Sequence, residues 1–139
     1  MTAPRQTLET PEPLAGQYPA VRWIRLFQPR FAALVESGLK LQTVRPVPKR
    51  MPKPGDTISL RAWTGAPYRS KQRVLREATI VGVDEVRIDR ATIAVGGTLR
   101  LLETFASQDG FASFAEMRDW FQATHGLPFT GILITWEQP

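Results

Sequence analysis

The chain has 139 residues, 42% of them hydrophobic and 22% charged, with a formal net charge of +5. This length and composition predict one domain with its own core. The lack of cysteine excludes disulfides, thiol nucleophiles and thiolate zinc sites. With a single histidine, His125, zinc deaminase chemistry is excluded as well. No apolar run reaches the roughly 18 residues of a membrane span, so we expect a cytoplasmic protein without a membrane partner.

The N-terminal segment, residues 1–20, contains four prolines and no hydrophobic periodicity. This composition predicts a flexible leader. The segment also lacks the apolar stretch of a signal peptide. We therefore expect a single domain over residues 21–139.

The first elements are predicted to be a strand over 21–27, a helix and a short strand over 41–45. In the helix, Phe31, Leu34 and Val35 have the spacing of one apolar face. Pro29 is suited to its first position and Gly38 to its end. These signals define a β-α-β beginning.

The middle of the chain alternates between loops and strands. Four prolines between residues 46 and 54 exclude regular structure there and predict an extended basic loop. The sequence Pro54-Gly55-Asp56 then predicts a turn, with Asp56 as a turn residue, before a strand over 57–63. After a polar loop we predict a long strand over 74–88, which would break at Gly82, and a short strand over 91–95.

The last part is predicted to hold two helices and a final strand over 130–136. The first helix covers 99–108, and the second begins with the capping box of Ser113 and Glu116 and continues to Thr124. His125 follows it, at a helix end where positive charge is favoured. The order of main elements, β-α-β-β-β-α-α-β, predicts an α+β fold with a small curved sheet or barrel flanked by helices. Three tryptophans in periodic elements are expected in the core: Trp23, Trp120 and Trp136.

The positive charge is concentrated in residues 40–76, which have ten basic residues and one acidic residue, a net of +9; the rest of the chain has a net of −4. This asymmetry predicts a polyanionic partner, a nucleic acid or a nucleotide, with the basic segment as one wall of the cleft. The alternative is a solvated basic face without a specific partner.

Aromatic and basic residues alternate near residue 63. Trp63 and Tyr68 flank a short loop, and Arg69, Lys71 and Arg73 follow. This pattern suits base stacking and phosphate contact. The alternative is that Trp63 belongs to the core and Tyr68 packs against the loop.

Lys40, Thr43 and Arg45 form a second candidate group. Thr43 and Arg45 share a face of the predicted strand, and Lys40 lies just before it. A neutral lysine is able to activate a threonine hydroxyl, and burial with neighbouring positive charge favours the neutral amine. The alternative is that Lys40 and Arg45 only hold phosphates.

The segment from Phe31 to Arg45, together with Pro54-Gly55-Asp56, resembles the activating-signal-cointegrator homology (ASCH) domain. Asp109-Gly110-Phe111, the following helix and the strand over 131–136 are similar to that family too. The resemblance covers residues 21–137. It implies a PUA-like β-barrel that recognises RNA or a nucleobase in a cleft.

Some small bacterial ASCH proteins are amidohydrolases that remove the acyl group from N4-acetylcytidine with a lysine, a threonine and a later glutamate. The resemblance implies catalytic roles for Lys40, as the base, and Thr43, as the nucleophile or the group that orients water. We further expect Arg45 to hold the substrate carbonyl. Asp109 takes the place of the glutamate; alternatively it is only a turn residue. No metal or cofactor is implied.

Other ASCH proteins resemble plain RNA binders or nucleases. A non-catalytic RNA-binding module and an RNA hydrolase therefore remain alternatives to the amidohydrolase. In each case the expected partner is a nucleoside or single-stranded RNA, and a monomer is favoured.

Overall fold

The computed structural model describes residues 20–139, so nearly all of the predicted leader lies outside the described residues. The described part forms an α+β fold. Its elements are β1 (Arg22–Leu26), α1 (Pro29–Ser37), β2 (Gln42–Arg45), β3 (Thr57–Trp63), β4 (Gln72–Ile88), β5 (Ile93–Val95), β6 (Thr98–Leu99), α2 (Leu102–Gln108), α3 (Phe114–Thr124) and β7 (Phe129–Trp136).

Local signals define the ends of α1 and the start of α3 as predicted. Pro29 begins α1, and Gly38, at φ 81°, ends it with its N–H directed to the carbonyls of the last turn. At α3, the Ser113 side chain accepts a hydrogen bond from the Glu116 N–H. These boundaries follow from residues within one helical turn of them.

The structure corrects the predicted start of the helix at 99–108. Residues 98 and 99 form strand β6 and pair with β5 in the register Ala94↔Leu99, so α2 begins only at Leu102. Strand pairing therefore overrides the apolar spacing that suggested helix. With β5 and β6 included, the order is β-α-β-β-β-β-β-α-α-β and differs from the predicted order of main elements.

Strand β4 organises the sheet. Its first half pairs with β3, which pairs in parallel with β1, and its second half pairs with β7 and β5. Strand β2 pairs with β7. β4 does not break at Gly82, but its register with β7 shifts between Ile80 and Gly82. The seven strands of the described part form one mixed sheet that is not closed.

The helices pack apolar faces on the sheet. Helix α1 buries Phe31 and Val35, and α3 buries Met117 and Phe121. Trp136 is buried as predicted, whereas Trp23 and Trp120 are only partly buried and pack against the core. Within residues 20–139, none of the helices is long and apolar enough to cross a membrane.

Asp56 lies in the predicted turn, where its N–H donates to the Lys53 carbonyl at 3.0 Å. Its buried carboxylate also accepts hydrogen bonds from the Val21 N–H, the Trp23 indole N–H and the Lys53 N–H. Burial raises the pKa of Asp56, but these hydrogen bonds outweigh it and hold the pKa below its usual value. Asp56 therefore connects the turn to the start of β1.

Candidate active site

A pocket of about 330 Å³ opens beside β2. Its walls come from four places in the chain: the β1–α1 junction, β2, the segment after α2, and the C-terminal end of α3. The lining combines five Phe and Trp side chains with seven polar or charged ones. It consists of Leu26, Phe27, Gln28, Phe31, Lys40, Thr43, Val44, Arg45, Pro46, Asp109, Phe111, Trp120, Phe121, Thr124 and His125.

Lys40 reaches this pocket because the chain reverses at the end of α1. After Gly38, the N–H groups of Leu39 and Lys40 both donate to the Leu34 carbonyl at 2.9 Å. This C-terminal cap of α1 directs Lys40 inward. The Lys40 side chain is only 3% exposed. The ammonium nitrogen lies 5.0 Å from the centre of the Phe31 ring.

Thr43 and Arg45 reach the pocket from the same face of β2. Their register with β7 is Thr43↔Ile134 and Arg45↔Ile132, and the side-chain period of 2 places both on one side. Arg45 Nε donates to Thr43 Oγ1 at 3.0 Å, and Arg45 Nη2 donates to the Leu26 carbonyl at 2.8 Å. Arg45 is thereby fixed beside the Thr43 hydroxyl.

Asp109 follows α2 as its C-cap residue and is buried. Its Oδ1 accepts a hydrogen bond from Lys40 Nζ at 3.2 Å, and Lys40 also donates to the Asp109 backbone carbonyl. Gln42 Nε2 donates to the same Oδ1 at 3.4 Å. Asp109 is therefore both the helix-ending residue and a partner of Lys40. Sequence reasoning missed Gln42, because nothing in its local pattern marks it.

Gly110 allows Asp109 and Lys40 to approach. Its φ is +96°, and a Cβ at this position would lie 3.0 Å from the Phe31 ring and 3.3 Å from Lys40 Cδ. A side chain would thus meet both a strained backbone conformation and two packed neighbours. The turn after α2 requires glycine here.

Burial is the largest influence on the pKa values of Lys40 and Asp109. It lowers the pKa of Lys40; the Asp109 carboxylate opposes this shift and the positive charge of Arg45 adds to it. Burial also raises the pKa of Asp109, against the opposing effects of Lys40, Gln42 and Arg45. Both groups are therefore shifted toward their neutral forms, an amine that accepts a proton and an acid that donates one.

Arg45 is itself affected by burial. Burial, followed by the nearby charge of Arg25, lowers the pKa of Arg45 to about 10. Arg45 remains a cation at neutral pH. It presents its charge to the pocket next to the Thr43 hydroxyl.

The structure brings the predicted group of Lys40, Thr43, Arg45 and Asp109 to one pocket, but not as a directly bonded Thr–Lys dyad. Among residues 20–139, the Thr43 hydroxyl accepts its hydrogen bond from Arg45, and Lys40 is bonded to Asp109. The site therefore consists of two pairs, Lys40 with Asp109 and Thr43 with Arg45, on the wall of one pocket.

The second predicted group is not in the pocket lining. The Trp63 and Tyr68 rings lie 5.1 Å apart at their centres, and Tyr68 is exposed with φ 63°. Arg73 pairs with Glu36 at 2.9 Å. Arg69 and Lys71 are exposed too. Of the ten basic residues in 40–76, only Lys40 and Arg45 line the pocket, so the expected basic wall reduces to those two.

The aromatic walls were not predicted as a site. The sequence predicts Trp120 in the core and His125 at a helix end; His125 is that cap, Trp120 packs against the core, and both also line the pocket. His125 is the C-cap of α3, and its ring centre lies 4.8 Å from that of Phe129. Burial lowers the pKa of His125, contrary to the expectation of a favoured charge. The i, i+4 spacing of Phe121 and His125 is the signal that places them on one face.

In the described part of the chain, no three or more His, Cys, Asp or Glu residues are grouped so as to hold a metal ion. Comparison of the chain with protein-family models, curated proteins and solved structures found no match. The ASCH domain therefore stays a prediction from the motif residues. Structure and site define an α+β domain with a buried lysine–aspartate pair in an aromatic pocket.

Proposed function

We propose that this protein is an amidohydrolase of the ASCH type with a PUA-like fold, acting on an N4-acylated cytosine nucleoside without a metal cofactor. One observation carries the proposal: the buried amine of Lys40 is bonded to buried Asp109 in the pocket that also presents the Thr43 hydroxyl. These three groups supply a base, an acid and a nucleophile. The ASCH resemblance supplies the substrate class.

The pocket suits a small planar ring. Its volume of about 330 Å³ is at the lower end of small-molecule sites. The Phe27, Phe31, Phe111 and Trp120 side chains give apolar surfaces against which a nucleobase packs. Lys40, Thr43 and Arg45 of the wall would meet the acylamino group of the base.

In the first step, Thr43 Oγ attacks the acyl carbonyl carbon, and the neutral Lys40 amine takes the hydroxyl proton. Among residues 20–139, Arg45 uses two of its N–H groups, for Thr43 and Leu26, and its other N–H groups would stabilise the oxyanion. The carbon–nitrogen bond then breaks. The leaving N4 takes a proton from the Lys40–Asp109 pair, and the acyl group is left as an ester on Thr43.

In the second step, water attacks this ester, and the lysine amine takes the water proton. The ester bond breaks, the Thr43 oxygen recovers a proton, and the carboxylic acid leaves. If Thr43 orients water instead, that water attacks the amide directly and no acyl-enzyme forms. An acyl adduct on Thr43, seen by intact-mass spectrometry after rapid quenching, distinguishes the two routes.

The deciding experiment incubates purified protein with N4-acetylcytidine and longer-chain acyl analogues, and follows cytidine release by ultraviolet absorbance. We expect release by the wild type and none by Lys40→Ala purified in the same way, which controls for contaminating hydrolases. A wild-type protein that binds RNA but leaves every acylated nucleoside intact would contradict the proposal.

The charge outside the pocket favours a second candidate, a non-catalytic RNA-binding module. Eight of the ten basic residues in 40–76 lie outside the pocket lining. In that case binding to single-stranded RNA weakens steeply with salt, because each neutralised phosphate releases counterions. Reversing the charge of Arg69 and Lys71 would weaken binding without changing base preference. RNA strand cleavage on a gel would instead indicate a hydrolase acting on RNA.

A further inference from the structure

Two guanidinium groups lie against one indole ring at the start of the sheet. On β1, Trp23 and Arg25 share a face because side chains alternate along a strand. Arg25 Cζ lies 5.5 Å from the centre of the Trp23 ring, and Arg50 Cζ lies 5.7 Å from it. Arg50 comes from the proline-containing loop before β3. A strand and a loop thus bring two cations to one partly buried aromatic side chain.

This arginine pair, Arg25 and Arg50 on Trp23, does not line the pocket, but Arg25 lies close to it. Arg25 directly precedes Leu26, which lines the pocket and accepts a hydrogen bond from Arg45. Arg25 is also near enough to Arg45 that its charge lowers the pKa of Arg45. Positive charge therefore continues from the pocket wall to Trp23.

Within residues 20–139, neither arginine of the pair forms a salt bridge, whereas five other arginines do. The Asp56 carboxylate, which lies beside the Trp23 indole, already accepts three hydrogen bonds, one of them from that indole. Clustered cations that form no salt bridge attract an anion, and guanidinium groups match the oxygens of phosphate.

We propose that Arg25 and Arg50, held on Trp23, form a phosphate subsite for a ligand whose base occupies the pocket. The preferred ligand is then a nucleotide, either free or within an RNA strand, which binds more tightly than the unphosphorylated nucleoside. The cytosine identity of the base rests on the proposed function; the phosphate subsite does not.

The test measures the dissociation constants of cytidine, cytidine 5′-monophosphate, cytidine 3′-monophosphate and a short oligocytidine by calorimetry. We expect at least one phosphorylated ligand to bind about tenfold tighter than cytidine, which corresponds to about 1.4 kcal/mol. Preference for a monophosphate indicates a free nucleotide, and preference for the oligonucleotide indicates an RNA strand. Equal affinity for all four ligands, or no binding by any of them, would overturn the proposal.

Arg25→Gln and Arg50→Gln should each remove most of the phosphate preference and leave the cytidine affinity unchanged. Arg100→Gln is the matched control, because Arg100 is exposed just after β6, at the opposite end of the strand order from β1. Arg50 is exposed, so Arg50→Gln stays informative if the Arg25 variant fails to fold. An unchanged preference in Arg50→Gln contradicts the subsite.

The same proteins separate this inference from the proposed function. If the protein releases cytidine from N4-acetylcytidine but shows no preference for phosphorylated ligands, the subsite is overturned and the amidohydrolase is kept. A phosphate preference that depends on Arg50, in a protein that releases no cytidine, overturns the amidohydrolase and keeps the subsite.

Discussion

Lys40 Nζ lies 3.2 Å from Oδ1 of Asp109, although 69 residues separate the two in the chain. Both side chains are buried, so each is the main compensation for the other's charge. Removal of one partner from a buried pair leaves an uncompensated charge and costs about 3–5 kcal/mol in other proteins. The proposed chemistry and the position of Asp109, at the end of α2, next to Lys40, before β2, thus depend on the same contact.

Single and double substitutions test whether Lys40 and Thr43 act as one unit. We expect Lys40→Ala and Thr43→Ala each to lower the rate of acyl release at least about 10²-fold, because Lys40 accepts the proton and Thr43 supplies the attacking oxygen. The double variant should lose little more, since groups that act together are not additive. Lys49→Ala and Thr130→Ala, both exposed, are the controls. If the rate loss of the double variant equalled the product of the two single losses, the two residues would act independently and the mechanism would be contradicted.

The pH profile tests the role of Asp109. The ascending limb of kcat/KM reports deprotonation of the Lys40 amine, and burial places its midpoint below the ordinary lysine pKa of 10.5. Asp109→Asn removes a negative charge that raises this pKa, so the midpoint should move to lower pH while the maximal rate falls. Asp84→Asn, an exposed site, should change neither. A midpoint that rises in Asp109→Asn would contradict the assignment.

Asp56 should contribute to stability above acidic pH. Its pKa is lowered in the folded state, so this contribution is present above the unfolded pKa of Asp and is lost as the pH falls through the folded value. Asp56→Asn keeps one acceptor oxygen for three donors, which should cost about 1–3 kcal/mol at neutral pH. Urea unfolding measures this loss.

The control for Asp56 is Asp89→Asn. Asp89 forms an exposed pair with Arg87, which is worth about 1 kcal/mol at most. The Asp56 variant should also lose less additional stability than the wild type when the pH is lowered. Equal acid sensitivity of the two proteins would contradict the assigned role of the carboxylate.

Gly110 and Gly97 form a matched pair for testing the packing of the site. Both have positive φ, +96° and +82°, but a Cβ at Gly97 meets nothing within 4 Å, whereas one at Gly110 meets Phe31 and Lys40. Both alanine variants bear the backbone strain, of the order of 1 kcal/mol. Only Gly110→Ala should also disturb the Lys40 side chain and lower activity. Equal loss of activity in both would indicate that the close approach at Gly110 has no functional role.

The sequence by itself determined the features that depend on neighbouring residues. Pro29 and Gly38 defined α1, Ser113 and Glu116 defined the start of α3, and the alternation in β2 placed Thr43 and Arg45 on one face. Caps and side-chain periodicity act within one turn or a few strand residues, so their patterns are visible in the chain.

Tertiary structure decided which distant residues meet. It paired Lys40 with Asp109, added Gln42, turned residues 98–99 into a strand and left Trp63 and Tyr68 outside the pocket. It also assembled the aromatic walls from the β1–α1 junction and the end of α3. These contacts depend on how separate elements pack and pair, and that free energy comes from the burial of surfaces far apart in the chain, which no local pattern encodes.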